Sequence, residues 1–273
     1  MNDVGITMLV LSCDNYSDLW DDFFNLKERF WPDCEYEWYI VTETKHYQRR
    51  GVEVIQCGRN LNWAGRLRYA LGKINTPYVG LFLEDYFMIS RINNDRIKAY
   101  VELMSSDKIS FITLGNVFHH ITGLPNKEYY KEHLIIIPKH LKYGIDTSAA
   151  IWDKEYLMNK LGDSDYSAWQ FEVDRCKEAA SEEGLTGILL CDDLLSFNVS
   201  NIPVVIQGVL YPDAINFFTK ELGYVIQSRR PQMTYIQVLK YKFKVRMSRI
   251  KYGRRFLKWI AKNILGYKFF SEN

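Results

Sequence analysis

The stretch VGLFLEDYFMI, residues 79–89, sets two carboxylates, Glu84 and Asp85, at the end of an apolar run. Carboxylates at the tip of a buried strand lose hydration free energy unless a cation, a hydrogen-bond donor or a ligand compensates them. Two readings stay open on these residues alone: the pair caps the strand and meets surface Lys or Arg, or it serves a ligand. Asp14 and Glu43 follow apolar runs in the same way. No G-x-G-x-x-G follows the first run and no Walker A sequence occurs, so dinucleotide oxidoreductases and P-loop NTPases lose their main signal. A bound phosphate would have to rest on a divalent ion held by a carboxylate, or on an arginine.

The elements that must position these acids follow from periodicity. Ile6 to Leu11 reads as a strand, Ser12 to Ser17 as a polar turn. Leu19, Phe23, Leu26 and Phe30 then recur at helical spacing, with Ser17 as N-cap. EWYIVTE is a second strand ending at Glu43, and VEVIQCG a third. NWAGRLRYALGKI is a helix closed by NTPY, and YVGLFLEDYF a fourth strand. Strands alternating with helices predict an α/β fold with a mostly parallel, doubly wound sheet. Ligands in such sheets bind beyond the carboxyl ends of the strands, where Asp14, Glu43 and Glu84-Asp85 all fall. After residue 91 the pattern predicts a helix near 95–105, a strand at ISFITL, a polar loop around HHITGLPNKEYYKEH and apolar LIIIP. It then predicts SAAIW, a helix opening at Asp153, a helix through SAWQFEVDRCKEAA and a strand across LSFNVSNIPVVIQGVL. Asp192-Asp193 reads as a turn or capping feature.

The 273 residues, 47% hydrophobic and 15% aromatic, suffice for a packed core. Five cysteines without C-x-x-C spacing suggest neither a zinc knuckle nor a disulfide framework, so a reducing cytoplasm is expected. The first apolar run is too short for a signal peptide or a membrane span. Charge is unevenly placed. Thirteen of the 35 basic residues lie between Arg229 and Ser271, a stretch without an acid, which leaves residues 1–228 with 22 basic against 32 acidic residues, a net of −10. Body and tail therefore face different partners.

The blocks VLSCDNYSDLW, NWAGRLRYALGKINTPYVGLFLEDYF and AAIWDKEYL with SAWQFE, together spanning most of residues 5–175, resemble nucleotide-sugar glycosyltransferases of the GT-A fold. The likeness is to bacterial enzymes that build capsular or other surface polysaccharides. The resemblance implies a GT-A-like (Rossmann-like) domain over residues 1–228, with a nucleotide-binding half at about 1–90 and an acceptor half at about 91–228. It implies that Ser12, Cys13 and Asp14 lie against base and ribose, that Glu43 joins them, and that Arg66 approaches the diphosphate. Glu84-Asp85 takes the place of the family's Asp-x-Asp motif, on ribose and on a divalent metal, Mn2+ or Mg2+, with Asp85 as metal ligand. Tyr86 stands where a strict motif has its second acid, so Asp85 coordinates alone, or with a distant ligand, or without a metal. His119 and His120 are adjacent, and on an extended segment at most one faces a pocket.

The same resemblance makes SDYSAWQFEVDR the acceptor-side segment. Glu172 is the first choice for the general base of an inverting transfer and Asp165 the second. Trp169, one helical turn before Glu172, could stack on a sugar ring; the alternative is a surface helix with Trp169 and Phe171 in the core. In the tail, residues 229–273, Ile236, Leu239, Phe243, Met247 and Ile250 form one helical stripe, and Leu257, Ile260 and Ile264 another. A basic amphipathic helix of this kind fits an anionic membrane surface, with nucleic acid the less favoured partner. The expected function is transfer of a sugar from a nucleotide-sugar donor, a UDP-sugar, to a lipid-linked glycan, by a cytoplasmic enzyme held peripherally on the inner face of the cell membrane. The alternatives are a sugar-phosphate nucleotidyltransferase, whose Gly-rich basic loop SCDNYSDLW lacks, and a non-enzymatic basic-tailed scaffold.

Overall fold

The structure, a computed structural model, describes residues 5–115 and 120–249. The chain divides into two compact units, 1–201 and 202–273, so the boundary expected at 228 lies within the second.

In the first unit, β1 (Ile6–Leu11) is buried along its whole length, as a parallel strand covered on both faces must be. A 3-10 turn, Asp14–Leu19, leads into α1 (Trp20–Phe30). Ser17 is thus inside the turn and not the expected N-cap; its hydroxyl accepts from Lys45 Nζ. β2 (Glu37–Thr42), β3 (Val52–Gln56), α2 (Trp63–Leu71) and β4 (Tyr78–Leu83) fall where periodicity puts them. They are followed by α3 (Asn94–Asp107), β5 (Phe111–Thr113), β6 (Tyr129–Lys131), β7 (Leu134–Ile136) and β8 (Ala150–Asp153). The unit closes with α4 (Lys154–Leu161), α5 (Ala168–Ala179) and β9 (Leu189–Asp192).

The nine strands form one sheet in the order β3-β2-β1-β4-β8-β5-β9-β7-β6. β3, β2, β1 and β4 are parallel neighbours, and only β8 and β7 run against the other seven. The expected α/β architecture, a large mostly parallel sheet flanked by helices, is what forms. Alternation sends Phe82 to one face, against Phe23, Trp38 and Phe197, and Val79 and Leu81 to the other, in the cluster built by Trp63, Leu67, Trp152 and Phe171. All five cysteines are free.

Two features position the site. β1 and β4 pair from Ile6↔Tyr78 to Leu11↔Leu83, and β2 ends level with them, so Ser12, Glu43 and Glu84 leave the sheet along one edge. β8 is antiparallel to β4, with Ala150 opposite Leu81, so the loop that enters β8, residues 143–149, comes to that same edge.

In the second unit, Val205–Ile206 (β10) and Val209–Leu210 (β11) form a hairpin whose turn residues Gln207 and Gly208 both have positive φ, the geometry that suits a two-residue hairpin. The long strand expected across 195–210 is therefore only this hairpin; Leu195 and Asn198 also take positive φ and break any extended run. α6 (Pro212–Lys220) and α7 (Tyr235–Arg249) follow. Thr234 and Gln237 exchange hydrogen bonds as a capping box at the start of α7. Tyr241 packs edge-on against Tyr211, and Lys242 pairs with Asp213 at 2.7 Å. Ile236, Leu239 and Phe243, the expected stripe, are exposed. The side chain of Met247, and Ile250, Leu257, Ile260 and Ile264, lie outside the described residues. No helix among the described residues is long and apolar enough to cross a membrane.

Asp165 has a structural task here. Its carboxylate accepts the backbone N–H groups of Asn62 (2.7 Å) and Gly65 (2.8 Å), while Tyr166 O takes that of Ala64 (3.0 Å), so this segment caps α2 from a hundred residues away. A Cβ on Gly65 would stand 2.8 Å from Asp165 Oδ1. Asp165→Ala is expected to cost about 1 kcal/mol in urea unfolding, the usual worth of a cap. Gly65→Ala destabilises the wild type but stabilises the Asp165→Ala background, where Ala is the better helix former by up to about 1 kcal/mol. The same sign in both backgrounds would contradict this packing.

Candidate functional site

At the end of β4 the chain turns, with Tyr86 N–H donating to Leu83 O at 3.1 Å, and its three polar residues diverge. Glu84 goes inward and is 8% exposed. Burial, reinforced by the charge of Asp85, pushes its carboxyl up to about 8; Ser12 and Arg66 pull the other way. Glu84 is therefore largely protonated at pH 7. Ser12 lies in the floor beside it, buried, its hydroxyl accepting from Trp20 Nε1 at 2.7 Å. Cys13 is half-buried at the head of the 3-10 turn, its thiol raised by burial and by Glu84.

Arg66, on the face of α2 that looks to this edge, is the cation of the group. Its Nη1 lies 3.6 Å from Glu43 Oε1 and 3.2 Å from Leu61 O. Its Nε is buried without a hydrogen-bond partner. A half-buried guanidinium with an unsatisfied Nε is a place where an anion completes the set.

Asp14 and Glu43 clasp the ends of β1 and β2. The Asp14 carboxylate accepts the N–H groups of Glu43, Thr44 and Lys45 at 3.0 to 3.1 Å and the Thr44 hydroxyl at 2.7 Å, and Asp14 N–H returns to Glu43 Oε2 at 3.1 Å. Against the effect of burial, these bonds hold the Asp14 carboxyl below its usual range. Beside the clasp lies an open depression of about 520 Å³ lined by Asp14, Asn15, Glu43, Thr44, Lys45 and Arg59.

Tyr86 carries the edge in the other direction. Its phenol is raised well above its ordinary value by burial and then by the charges of Asp85, Asp146 and Glu172, with Thr147 opposing the shift. Glu172, on α5, accepts from Thr147 N at 3.0 Å and Thr147 Oγ1 at 2.8 Å. Burial raises its carboxyl, and Asp146 adds to the shift. Asp146 is 4% exposed. One carboxylate oxygen accepts Ser148 N–H at 2.9 Å; the other is buried without a hydrogen bond, 3.8 Å from His120 Nε2. Burial raises Asp146 too, opposed by His120.

Thus Ser12, Cys13, Glu43, Arg66, Glu84 and Asp85 gather at one edge, and Glu172 joins them through Tyr86. Asp165 does not; it is committed to the α2 cap. His119 is outside the described residues, and His120 faces Asp146. Sequence reasoning missed Asp146 and Thr147, which sit in the unremarkable loop GIDTS. Nothing local marks them, because what brings them here is the reversed direction of β8. Asp192, read as a capping residue, accepts from Leu194 N, Ser196 N and Tyr100 OH.

No protein-family model matches the chain, and no curated protein does. Among solved structures it is similar to a cytidylyltransferase from Leptospira borgpetersenii, with 10% identity and a TM-score of 0.49 over 89% of this chain and 95% of that one. It is also similar to S. aureus TarS, at 11% identity and a TM-score of 0.42 over 68% of this chain. Another is the bifunctional IspDF from Campylobacter jejuni, at 14% identity and a TM-score of 0.36 over 66% of this chain. The chain spans 52% of IspDF and 35% of TarS. Likenesses this distant carry no functional assignment.

The state of Glu84 is measurable. Its carboxyl titrates near 4.5 when unfolded and at about 8 when folded. Between those values the native chain holds a proton that the unfolded chain releases, so the stability it contributes is full below about 4.5 and is lost as pH rises toward 8. The melting temperature of Glu84→Gln relative to wild type is expected to rise steadily from pH 4.5 to pH 8. A pH-independent difference would contradict a buried, protonated Glu84.

Proposed function

We propose that the chain is a GT-A-like glycosyltransferase that moves a sugar from a nucleotide-sugar donor, a UDP-sugar, to a hydroxyl of a lipid-linked glycan, with inversion. The observation that carries this reading is the meeting, across Tyr86, of the strand-end acids with a buried carboxylate from another part of the chain. Transfer needs both: groups that hold a departing diphosphate, and on the opposite face of the sugar a base for the attacking hydroxyl.

In this reading the nucleoside lies along the Asp14–Glu43 clasp, with Ser12 and Cys13 beneath it. Arg66 offers its unsatisfied Nε–H to the diphosphate. Glu84, neutral at pH 7, donates a hydrogen bond to the ribose instead of repelling the phosphates. The acceptor oxygen attacks C1 of the donor sugar as the bond from C1 to the phosphate oxygen breaks. The diphosphate leaves with that electron pair, and the hydroxyl proton passes to Glu172. Burial and Asp146 make Glu172 a stronger base than a solvated carboxylate, and Thr147 fixes its direction.

Among the described residues no group of three His, Cys, Asp or Glu is arranged to hold a metal. A single carboxylate does suit Mg2+ or Mn2+ in nucleotide sites, where phosphates and waters complete the shell. Asp85 would hold that ion, which when bound neutralises the leaving diphosphate.

A nucleotidyltransferase shares the sheet but grips a triphosphate with a basic, Gly-rich loop after its first strand. Here that loop has neither Gly nor Lys, and its Asp14 is tied to β2. For the acceptor, support comes from α7: Ile236, Leu239 and Phe243 are exposed on a helix that also carries Lys240, Lys244 and Arg246. This combination fits an anionic bilayer surface at the inner face of the cell membrane, where a lipid-linked glycan resides.

The test is transfer and donor hydrolysis by Glu172→Gln and Asp85→Asn. Glu172→Gln is expected to lower kcat of transfer by about 10²- to 10⁴-fold with donor affinity unchanged, the usual loss for a general base. Asp85→Asn is expected to weaken donor binding. Full activity in both variants would overturn the assignment.

A further inference from the structure

Trp169 is the exception among the tryptophans. Of the six described, Trp20, Trp31, Trp38, Trp63 and Trp152 are at most 7% exposed, whereas Trp169 is 79% exposed. Phe171 beside it is in the core, so packing explains one aromatic of this turn and not the other. Trp169, Glu172 and Cys176 recur at i, i+3 and i+7 and so share one face of α5, over about 10 Å of helix.

A second aromatic stands at the far end of that face. Tyr143 is 50% exposed, and its backbone N–H donates to Cys176 Sγ at 3.3 Å. It holds φ at 61°, a region that a bulky residue rarely adopts. The following Gly144 is hemmed in by Ile137, Leu185 and Leu141 O, which leaves the segment little room to relax. Burial, then the charges of Cys176 and Glu172, raise the Tyr143 phenol. Glu172 therefore lies on the helix face between Trp169, exposed by helix geometry, and Cys176, to which a strained loop ties the exposed Tyr143.

We propose that Tyr143 and Trp169 bracket a subsite for one neutral sugar ring, whose hydroxyl edge meets Glu172. An aromatic ring offers a flat apolar face, and the C–H face of a pyranose is its complement, while the sugar's rim supplies the hydroxyl that a buried carboxylate accepts. Glu172 is the carboxyl on this helix face, and it suits the hydroxyl of a neutral ring better than the oxygens of an anion. That the ring belongs to the acceptor rests on the transferase reading given above; that a sugar binds there does not.

The experiment is a glycan array probed with the full chain as wild type, Trp169→Ala, Tyr143→Ala and Tyr143→Phe, with the same preparations melted in the presence of a panel of nucleotide sugars. Trp169→Ala removes an exposed side chain and leaves the core intact, so loss of binding is not loss of fold. Wild type is expected to be retained on a class of neutral glycans, Trp169→Ala and Tyr143→Ala to lose at least tenfold in apparent affinity, and Tyr143→Phe, which keeps the ring, to retain most of it. No retention of wild type, or equal retention by the alanine variants, overturns the subsite. Retention that depends on Trp169, with no thermal shift by any nucleotide sugar, supports the subsite and sinks the transferase reading instead.

Discussion

Strand β4 is hydrogen-bonded to β1 along all six of its residues and to β8 over its first four. This double pairing decides where the backbone may leave the sheet, and everything at the site depends on that exit. β8 pairs no further than Leu81, so beyond it one side of β4 is unpaired and the chain turns there. Glu84 is sent inward beside Ser12, while Tyr86 is sent toward the loop that enters β8 and toward α5. A carboxyl carried into the interior must either find a cation or keep its proton. Arg66 is close enough to oppose the shift but not to cancel it, and Glu84 is left with its proton near neutrality.

The rest of the edge is arranged around that exit with little freedom. The Asp14–Glu43 clasp ties β1 to β2, the Asp165 cap fixes the first turn of α2, and Arg66 stands on the same turn. Groups whose own supports are fixed in this way can face a ligand without first having to order themselves. The acids are separated by environment. Asp14 is held low by four donors, whereas Glu84, Asp146 and Glu172 are raised by burial. Carboxylates pushed apart in this manner can play different parts at one pH, one donating, another accepting.

The parallel half of the fold was legible because its strands are continuous apolar runs between helices of clear period, and such runs end where polar residues begin. Glu43, Glu84 and Asp85 could be placed at strand ends on that ground alone. Glu172 was singled out only through the resemblance of its segment, and no local pattern marks its approach to Thr147. Long-range pairing was not. Asp165 and Glu172 look alike in sequence, and only the approach of Asp165 to Gly65, a hundred residues earlier, gives the first a capping role. A glycine inside the helical pattern of NWAGRL was the one available hint, since a helix interior prefers alanine. Asp146 was hidden for a different reason: a short strand carries no sign of its direction, and the reversal of β8 is what delivers GIDTS to the edge. The expected strand across 195–210 failed because Leu195 and Gln207 adopt positive φ without being residue types that favour it, so only Asn198 and Gly208 could have hinted at the breaks.

The central claim is that the strand-end acids, Arg66 and Glu172 serve one nucleotide-sugar donor. It is tested most directly by thermal shift of the wild type and of Arg66→Ala against nucleoside diphosphate sugars, nucleoside triphosphates and the free nucleosides, each with and without Mn2+. The account predicts that a diphosphate sugar, UDP-sugars foremost, raises the melting temperature of the wild type more than any triphosphate does, and that Arg66→Ala loses most of that rise. A rise with triphosphates alone, or none with any diphosphate sugar, would contradict it.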